Sequence, residues 1–109
     1  MDENCLFCQI LDGHKPASFV YEGKNIVAFH DINPEAPVHI LIVPRKHIRS
    51  INDLTEGDRG MVSDMFFVAR DLAKEMNIEK GYKLLLNVER GGGQIIFHIH
   101  LHLIGGWKR

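Results

Sequence analysis

The sequence predicts an α+β protein: a mostly antiparallel sheet with one long helix and one short one. Three observations carry this. Short β-branched and apolar runs recur between turn residues. One stretch, Met61 to Met76, places its apolar residues at helical spacing. The segment Phe97-His98-Ile99-His100-Leu101-His102-Leu103 alternates histidine with large apolar residues, the period-two pattern of a strand with one packed face.

Taken in order, Leu6, Phe7, Ile10 and Leu11 are spaced for a short amphipathic helix, which Asp12-Gly13 ends and Lys15-Pro16 follows as loop. Ser18 to Tyr21 and Ile26 to His30 read as strands joined by a turn at Glu22-Gly23-Lys24-Asn25. Asp31 to Pro37 holds an Asn-Pro pair and a second proline, so it is loop. Val38 to Val43 is apolar and β-branched apart from His39, as a central strand would be. Thr55 with Asp58 three residues on is a variant capping box. From there Met61, Val62, Met65, Phe66, Ala69, Leu72, Ala73 and Met76 form one stripe of a helix ending near Asn77. Gly81 leads into a strand over Tyr82 to Asn87. A turn with three successive glycines follows, and Gln94 to Ile104 is the fifth strand.

A chain of 109 residues fits one domain, residues 1–109, with a core that needs no disulfide staples. The net charge of −1 excludes a general basic field for a nucleic-acid polymer, though not a pocket for a small anion. No apolar run approaches the ~20 residues that span a bilayer. Met1-Asp2-Glu3-Asn4 lacks a signal peptide's basic start and apolar stretch, so a cytoplasmic protein is expected. Two cysteines make no disulfide framework.

The chemistry concentrates in three places. His98, His100 and His102 share one face of their strand, which suits either a metal site or nucleophilic attack on phosphorus by a neutral imidazole. Gly91-Gly92-Gly93-Gln94 could aim backbone N–H groups at an anion, or be only a flexible turn. Cys5-Leu6-Phe7-Cys8 is a redox pair, half a metal site or coincidence; no strand precedes it, which disfavours a thioredoxin-like motif.

His98-Ile99-His100-Leu101-His102-Leu103-Ile104 matches the histidine-triad motif, alternating histidine with apolar residues. Ala28-Phe29-His30-Asp31-Ile32, Ala36-Pro37-Val38-His39-Ile40-Leu41-Ile42-Val43-Pro44 and Gly92-Gly93-Gln94 agree with it in order and spacing. Over nearly its whole length the chain resembles the histidine triad (HIT) superfamily, in its nucleotide-binding (Hint) branch. The resemblance implies a HIT-like fold with a five-stranded sheet continued across a homodimer. It also implies cleavage of nucleoside 5′-phosphoramidates, or related nucleotidyl compounds, through a nucleotidyl-histidine intermediate. His100 would be the nucleophile, His102 would stand by the α-phosphate and leaving group, and His39 would be the fourth active-site histidine. Asp31 would accept from the ribose hydroxyls. Leu6, Phe7, Ile10, Phe29 and Ile32 would line a purine pocket bordered by His30, and Asn87, Gly93 and Gln94 would lie near the phosphate.

Some relatives, including the galactose-1-phosphate uridylyltransferase superfamily, join a Cys-x-x-Cys to two histidines. By that likeness Cys5, Cys8, His47 and His98 would hold a structural zinc, with no catalytic cofactor. Two departures stand out. Ile95 occupies a place where relatives often carry a phosphate-binding serine, and the sequence stops three residues after Gly106, where longer relatives carry a tail that shapes the partner's pocket. Two further functions fit the same residues: a dinucleoside polyphosphate hydrolase, and a nucleotide-binding scaffold with little catalysis.

Overall fold

The computed structural model describes residues 4–108, so the reading of Met1-Asp2-Glu3 falls on residues outside those described. The elements in chain order are α1 (Leu6–Leu11), β1 (Phe19–Glu22), β2 (Ile26–His30), β3 (Val38–Pro44), α2 (Arg59–Glu75), β4 (Tyr82–Leu85) and β5 (Leu101–Gly105). The strands form one sheet in the order β1-β2-β3-β5-β4, every neighbouring pair antiparallel. This is the α+β, five-stranded architecture expected from the sequence.

β2 and β3 alternate their side chains between two apolar layers, and β5 gives Leu101 and Leu103 to one of them. On one face α2 lays Met65, Ala69, Leu72 and Ala73 over Ile26, Ala28, Ile40, Ile42, Leu101 and Leu103. On the other, the Cys5–Ile10 stretch packs Cys5, Phe7, Cys8 and Ile10 against Val27, Phe29, Leu41 and Val43. Burying a side chain of Leu or Phe size contributes about 1.5–3 kcal/mol, and both layers hold side chains buried to that degree. The start of α2 is pinned by Asp58. Its Oδ2 accepts the Thr55 N–H at 2.8 Å and the Thr55 hydroxyl at 3.1 Å, and its Oδ1 accepts Lys46 Nζ at 2.8 Å. Among the described residues no helix is long and apolar enough to cross a membrane.

Three boundaries differ from the sequence reading. The fourth strand ends at Leu85, not Asn87. The stripe on α2 is narrower than expected, because Phe66 is 45% exposed. The largest difference is in the fifth strand, whose ladder covers only Leu101–Gly105; Gln94 to His100 run outside it. The register Val38↔Gly105 to Ile42↔Leu101, carried further, would set Ile99 against Pro44. Pro44 has no N–H to give, and its carbonyl lies 2.8 Å from His98 Nε2. Ile99 instead donates to the Ile48 carbonyl at 2.7 Å. Phe97, expected on the core face, is half-buried, with the Arg49 guanidinium 4.2 Å above its ring.

Candidate active site

On the α1 side of the sheet lies a cavity of about 730 Å³. α1 and β2 supply apolar walls through Leu6, Phe7, Ile10 and Phe29, and the loop after β2 supplies Asp31 and Ile32. β3 and the approach to β5 supply His39, His100 and His102, while Asn87 and Gly93 come from the segment joining β4 to β5. All three histidines of the alternating segment turn to this side. Phe7 meets the His98 and His100 rings edge-on at 6.0 and 4.9 Å, and the His100 and His102 centroids are 4.9 Å apart.

The hydrogen bonds decide where each histidine carries its proton. His100 Nδ1 is 2.7 Å from the His98 carbonyl. A carbonyl only accepts, so Nδ1 holds the hydrogen and Nε2 keeps its lone pair. His39 Nδ1 accepts the Glu35 backbone N–H at 3.1 Å, so its hydrogen is on Nε2. That Nε2 is 2.9 Å from His102 Nδ1, which therefore accepts, leaving the His102 hydrogen on Nε2. Two neighbouring rings thus present opposite faces of the same chemistry, His100 a lone pair and His102 a donor. Burial is the main force lowering the pKa of both. For His102 the charges of His100 and His39 add to it, bringing it down to about 4, so both rings are neutral near pH 7. Asp31 Oδ1 accepts the Asn33 N–H at 2.8 Å, and its Oδ2 lies 3.4 Å from His39 Nε2.

Cys5, Cys8, His47 and His98 are positioned to bind a metal ion, their ligand atoms all within 4.8 Å of one another. In a tetrahedral site, zinc–ligand bonds of ~2.0–2.3 Å put nitrogen–nitrogen edges near ~3.3 Å and nitrogen–sulfur edges near ~3.5 Å. His47 Nδ1 and His98 Nδ1 are 3.2 Å apart. The Cys5–His98, Cys8–His47 and Cys8–His98 separations are 3.3, 3.3 and 3.5 Å. His98 Nε2–H donates to the Pro44 carbonyl, which frees Nδ1 as a ligand. Cys5 caps α1, its Sγ accepting the Cys8 N–H at 3.2 Å.

Asp31, His39 and His102 also bring three ligand atoms together. That trio is a poor metal site. A cation on His39 Nε2 would force the hydrogen onto Nδ1, against the Glu35 N–H that points there.

The N–H groups of the glycine turn are largely engaged within the turn itself. Gly92 and Gln94 donate their N–H groups to the Glu89 carbonyl, each at 3.0 Å, and Gly93 donates to Arg90 at 3.0 Å. These donors close the turn rather than face an anion. Gly93 has φ +90°, a conformation glycine adopts freely. Asn87 lines the cavity while its Nδ2 holds the Gly92 carbonyl at 2.8 Å. Gln94 is only 3% exposed and stands behind the wall, its amide taken up by Glu89, Arg49 and Ile96. The remaining expected pocket residue, His30, lines the cavity. Sequence reasoning missed Lys15, Pro16, Glu35 and Leu85, which also line it. Leu85 and Leu41, another lining residue, pair opposite His102 from either side, a register that the structure supplies and side-chain pattern does not.

Comparison with known proteins gives consistent results. A family model described as scavenger mRNA decapping enzyme C-terminal binding matches residues 4–107. An uncharacterized HIT-like protein of Buchnera aphidicola subsp. Baizongia pistaciae (strain Bp) is 43% identical over 104 residues, 94% of this chain and 93% of that one. Among solved structures, a HIT family hydrolase from Legionella pneumophila Philadelphia 1 superposes with TM-score 0.93 at 49% identity, covering 96% of this chain and 95% of that one. A histidine triad nucleotide-binding protein from Candida albicans superposes with TM-score 0.84 at 28% identity, covering 97% and 84%.

Proposed function

The chain belongs to the histidine triad family, and on that premise we propose that it is a nucleotide-binding hydrolase acting at the α-phosphate of nucleoside 5′-phosphoramidates. The observation that carries this is the pair of opposite tautomers, a lone pair on His100 Nε2 beside a donor on His102 Nε2.

In the proposed reaction His100 Nε2 forms a bond to the α-phosphorus as the bond to the leaving nitrogen breaks. The amine departs, taking one proton from solvent. The charge on the nucleotidyl-His100 ring is shared with the His98 carbonyl through Nδ1–H. His102 Nε2–H serves the phosphoryl oxygens or the leaving group, with its Nδ1 held by His39. Water then attacks phosphorus and gives one proton back to solvent; the P–N bond breaks, His100 returns neutral, and nucleoside 5′-monophosphate leaves.

Asp31 accepts from the ribose. Leu6, Phe7, Ile10, Phe29 and Ile32 form an apolar purine site bordered by His30. Asn87 and Gly93 flank the phosphate, and Gln94 acts from behind them. The family's nucleotidyl chemistry also fits a dinucleoside polyphosphate hydrolase. Against that, Lys15 is the one lysine or arginine among the described lining residues, which favours an uncharged leaving group over a polyanion. Cys5, Cys8, His47 and His98 hold a structural zinc, which ties the cysteine pair and α1 to the sheet and takes no part in bond cleavage. We place the protein in the cytoplasm, as a homodimer.

The test is turnover of adenosine 5′-phosphoramidate and of a diadenosine polyphosphate by wild type and His100→Gly. Wild type is expected to prefer the phosphoramidate. The variant is expected to lose at least ~10³-fold in kcat while still binding adenosine 5′-monophosphate. Unchanged turnover in the variant defeats the mechanism, and wild-type binding without turnover favours the scaffold function.

A further inference from the structure

Glu89 stands out by its backbone. Its φ of 60° with ψ of 173° lies in a region that is almost the preserve of glycine. Asn77 also has positive φ, but just after α2, where that is common. A side chain held in such a conformation persists only where its surroundings fix it, and those of Glu89 do. Its carboxylate takes a two-nitrogen grip from Arg49, at 3.0 and 3.2 Å, and the Ser50 hydroxyl. Its N–H donates to Gln94 Oε1 at 2.8 Å, and its carbonyl accepts the Gly92 and Gln94 N–H groups.

The residues that grip Glu89 belong to one short strap, His47 to Ser50. His47 belongs to the cysteine–histidine cluster. The Ile48 carbonyl holds Ile99, between His98 and His100. The Arg49 carbonyl takes Gln94 Nε2 at 2.7 Å, its guanidinium takes Glu89, and Ser50 is fully buried beneath. The strap therefore ties the entry to the His100 segment and the base of the glycine turn to the same four residues.

We propose that Glu89 is a positioning residue: gripped by Arg49 and Ser50, it sets the glycine turn in register with His100, so that the cavity wall beside the reacting phosphorus is preformed. The role rests on the proposed function for its meaning. Glu89 does not line the cavity and touches no reacting atom in this account.

The experiment compares wild type, Glu89→Gln and Glu89→Gly. It reads thermal stability, kcat and KM on adenosine 5′-phosphoramidate, and amide hydrogen exchange at Gly91 to Gly93. Glu89→Gly releases both the backbone and the grip, and a misplaced wall is expected to lower kcat by ~10- to 100-fold with KM moving far less. Glu89→Gln keeps one acceptor oxygen for Arg49, while its Nε2–H donates to the Ser50 hydroxyl, which can turn its own hydrogen toward Asp53; the variant is expected to recover most of that loss. Stability is expected to follow a different order, because glycine relieves the backbone that glutamine leaves strained. Exchange at Gly91 to Gly93 is expected to speed up in Glu89→Gly. Unchanged kcat in Glu89→Gly, or a loss confined to KM or tracking stability across the variants, overturns the proposal. If wild type itself turns nothing over, the functional reading fails by that result. The exchange measurement then still decides, because unaltered exchange overturns the positioning role and faster exchange supports it.

Discussion

His100 and His102 are two residues apart and carry their protons on opposite nitrogens. Side-chain pattern placed both rings on one face, but their tautomers are set by the His98 carbonyl and the Glu35 amide, which no side-chain pattern encodes. Gln94 makes the same point. The resemblance set it near the phosphate, yet its side chain is spent on backbone groups of three other residues. The histidine wiring has a pH signature. Burial holds His102 down to about 4, below the ~6.5 of a free imidazole. Protonation would remove the Nδ1 lone pair that receives His39. Between those values the unfolded chain binds more protons than the folded one. The His102 contribution to stability is therefore full above ~6.5 and is lost as pH falls toward the folded value. The corresponding acid limb of kcat/KM is expected on the acid side of ~6.5, and it belongs to the coupled His100–His102 pair rather than to either ring. A limb centred at ~6.5, as for a solvent-exposed imidazole, would remove this picture.

The elements were legible where periodicity alone defines them. α1, the β1–β2 hairpin, β3 and α2 fall close to the predicted spans. β5 was not, since an extended segment alternates its side chains whether or not a neighbouring strand pairs with it. Only the register shows that the ladder runs out at Ile42↔Leu101, just before Pro44. The long helix was read from Thr55 and Asp58, which the structure confirms, with a short 3-10 turn over Glu56–Asp58 before α2 proper. Asp58→Ala removes the carboxylate that holds the Thr55 N–H and Lys46. It is expected to lower stability, read as an earlier midpoint in urea, with kcat unchanged. An unshifted midpoint would show that packing of α2 on the sheet fixes the helix start without the cap.

At the scale of the molecule, the strand order leaves β4 on an edge, with Leu84 and Leu85 38% and 45% exposed. An unpaired edge with apolar side chains invites a second copy, which supports the proposed homodimer. A monomeric mass at micromolar concentration removes it. The cysteine–histidine cluster closes the molecule in another sense, joining Cys5 to His98 across almost the whole chain. Such long-range clips restrict the unfolded chain and stabilise the fold. Protein purified without added metal is expected to carry close to one zinc per chain and to lose several degrees of Tm on chelation. A stoichiometry near zero sinks the zinc assignment.

Phe7 lies between Cys5 and Cys8 in sequence and against both His98 and His100 in space. One aromatic ring is thus shared by the cysteine–histidine cluster and the cavity, so a metal in the one and a nucleotide in the other, as proposed, would both restrain it. Thermodynamic linkage makes such an effect reciprocal: if nucleotide tightens metal by some factor, metal tightens nucleotide by the same factor. Titrating adenosine 5′-monophosphate with and without zinc, and zinc with and without the nucleotide, is expected to give two equal ratios above one.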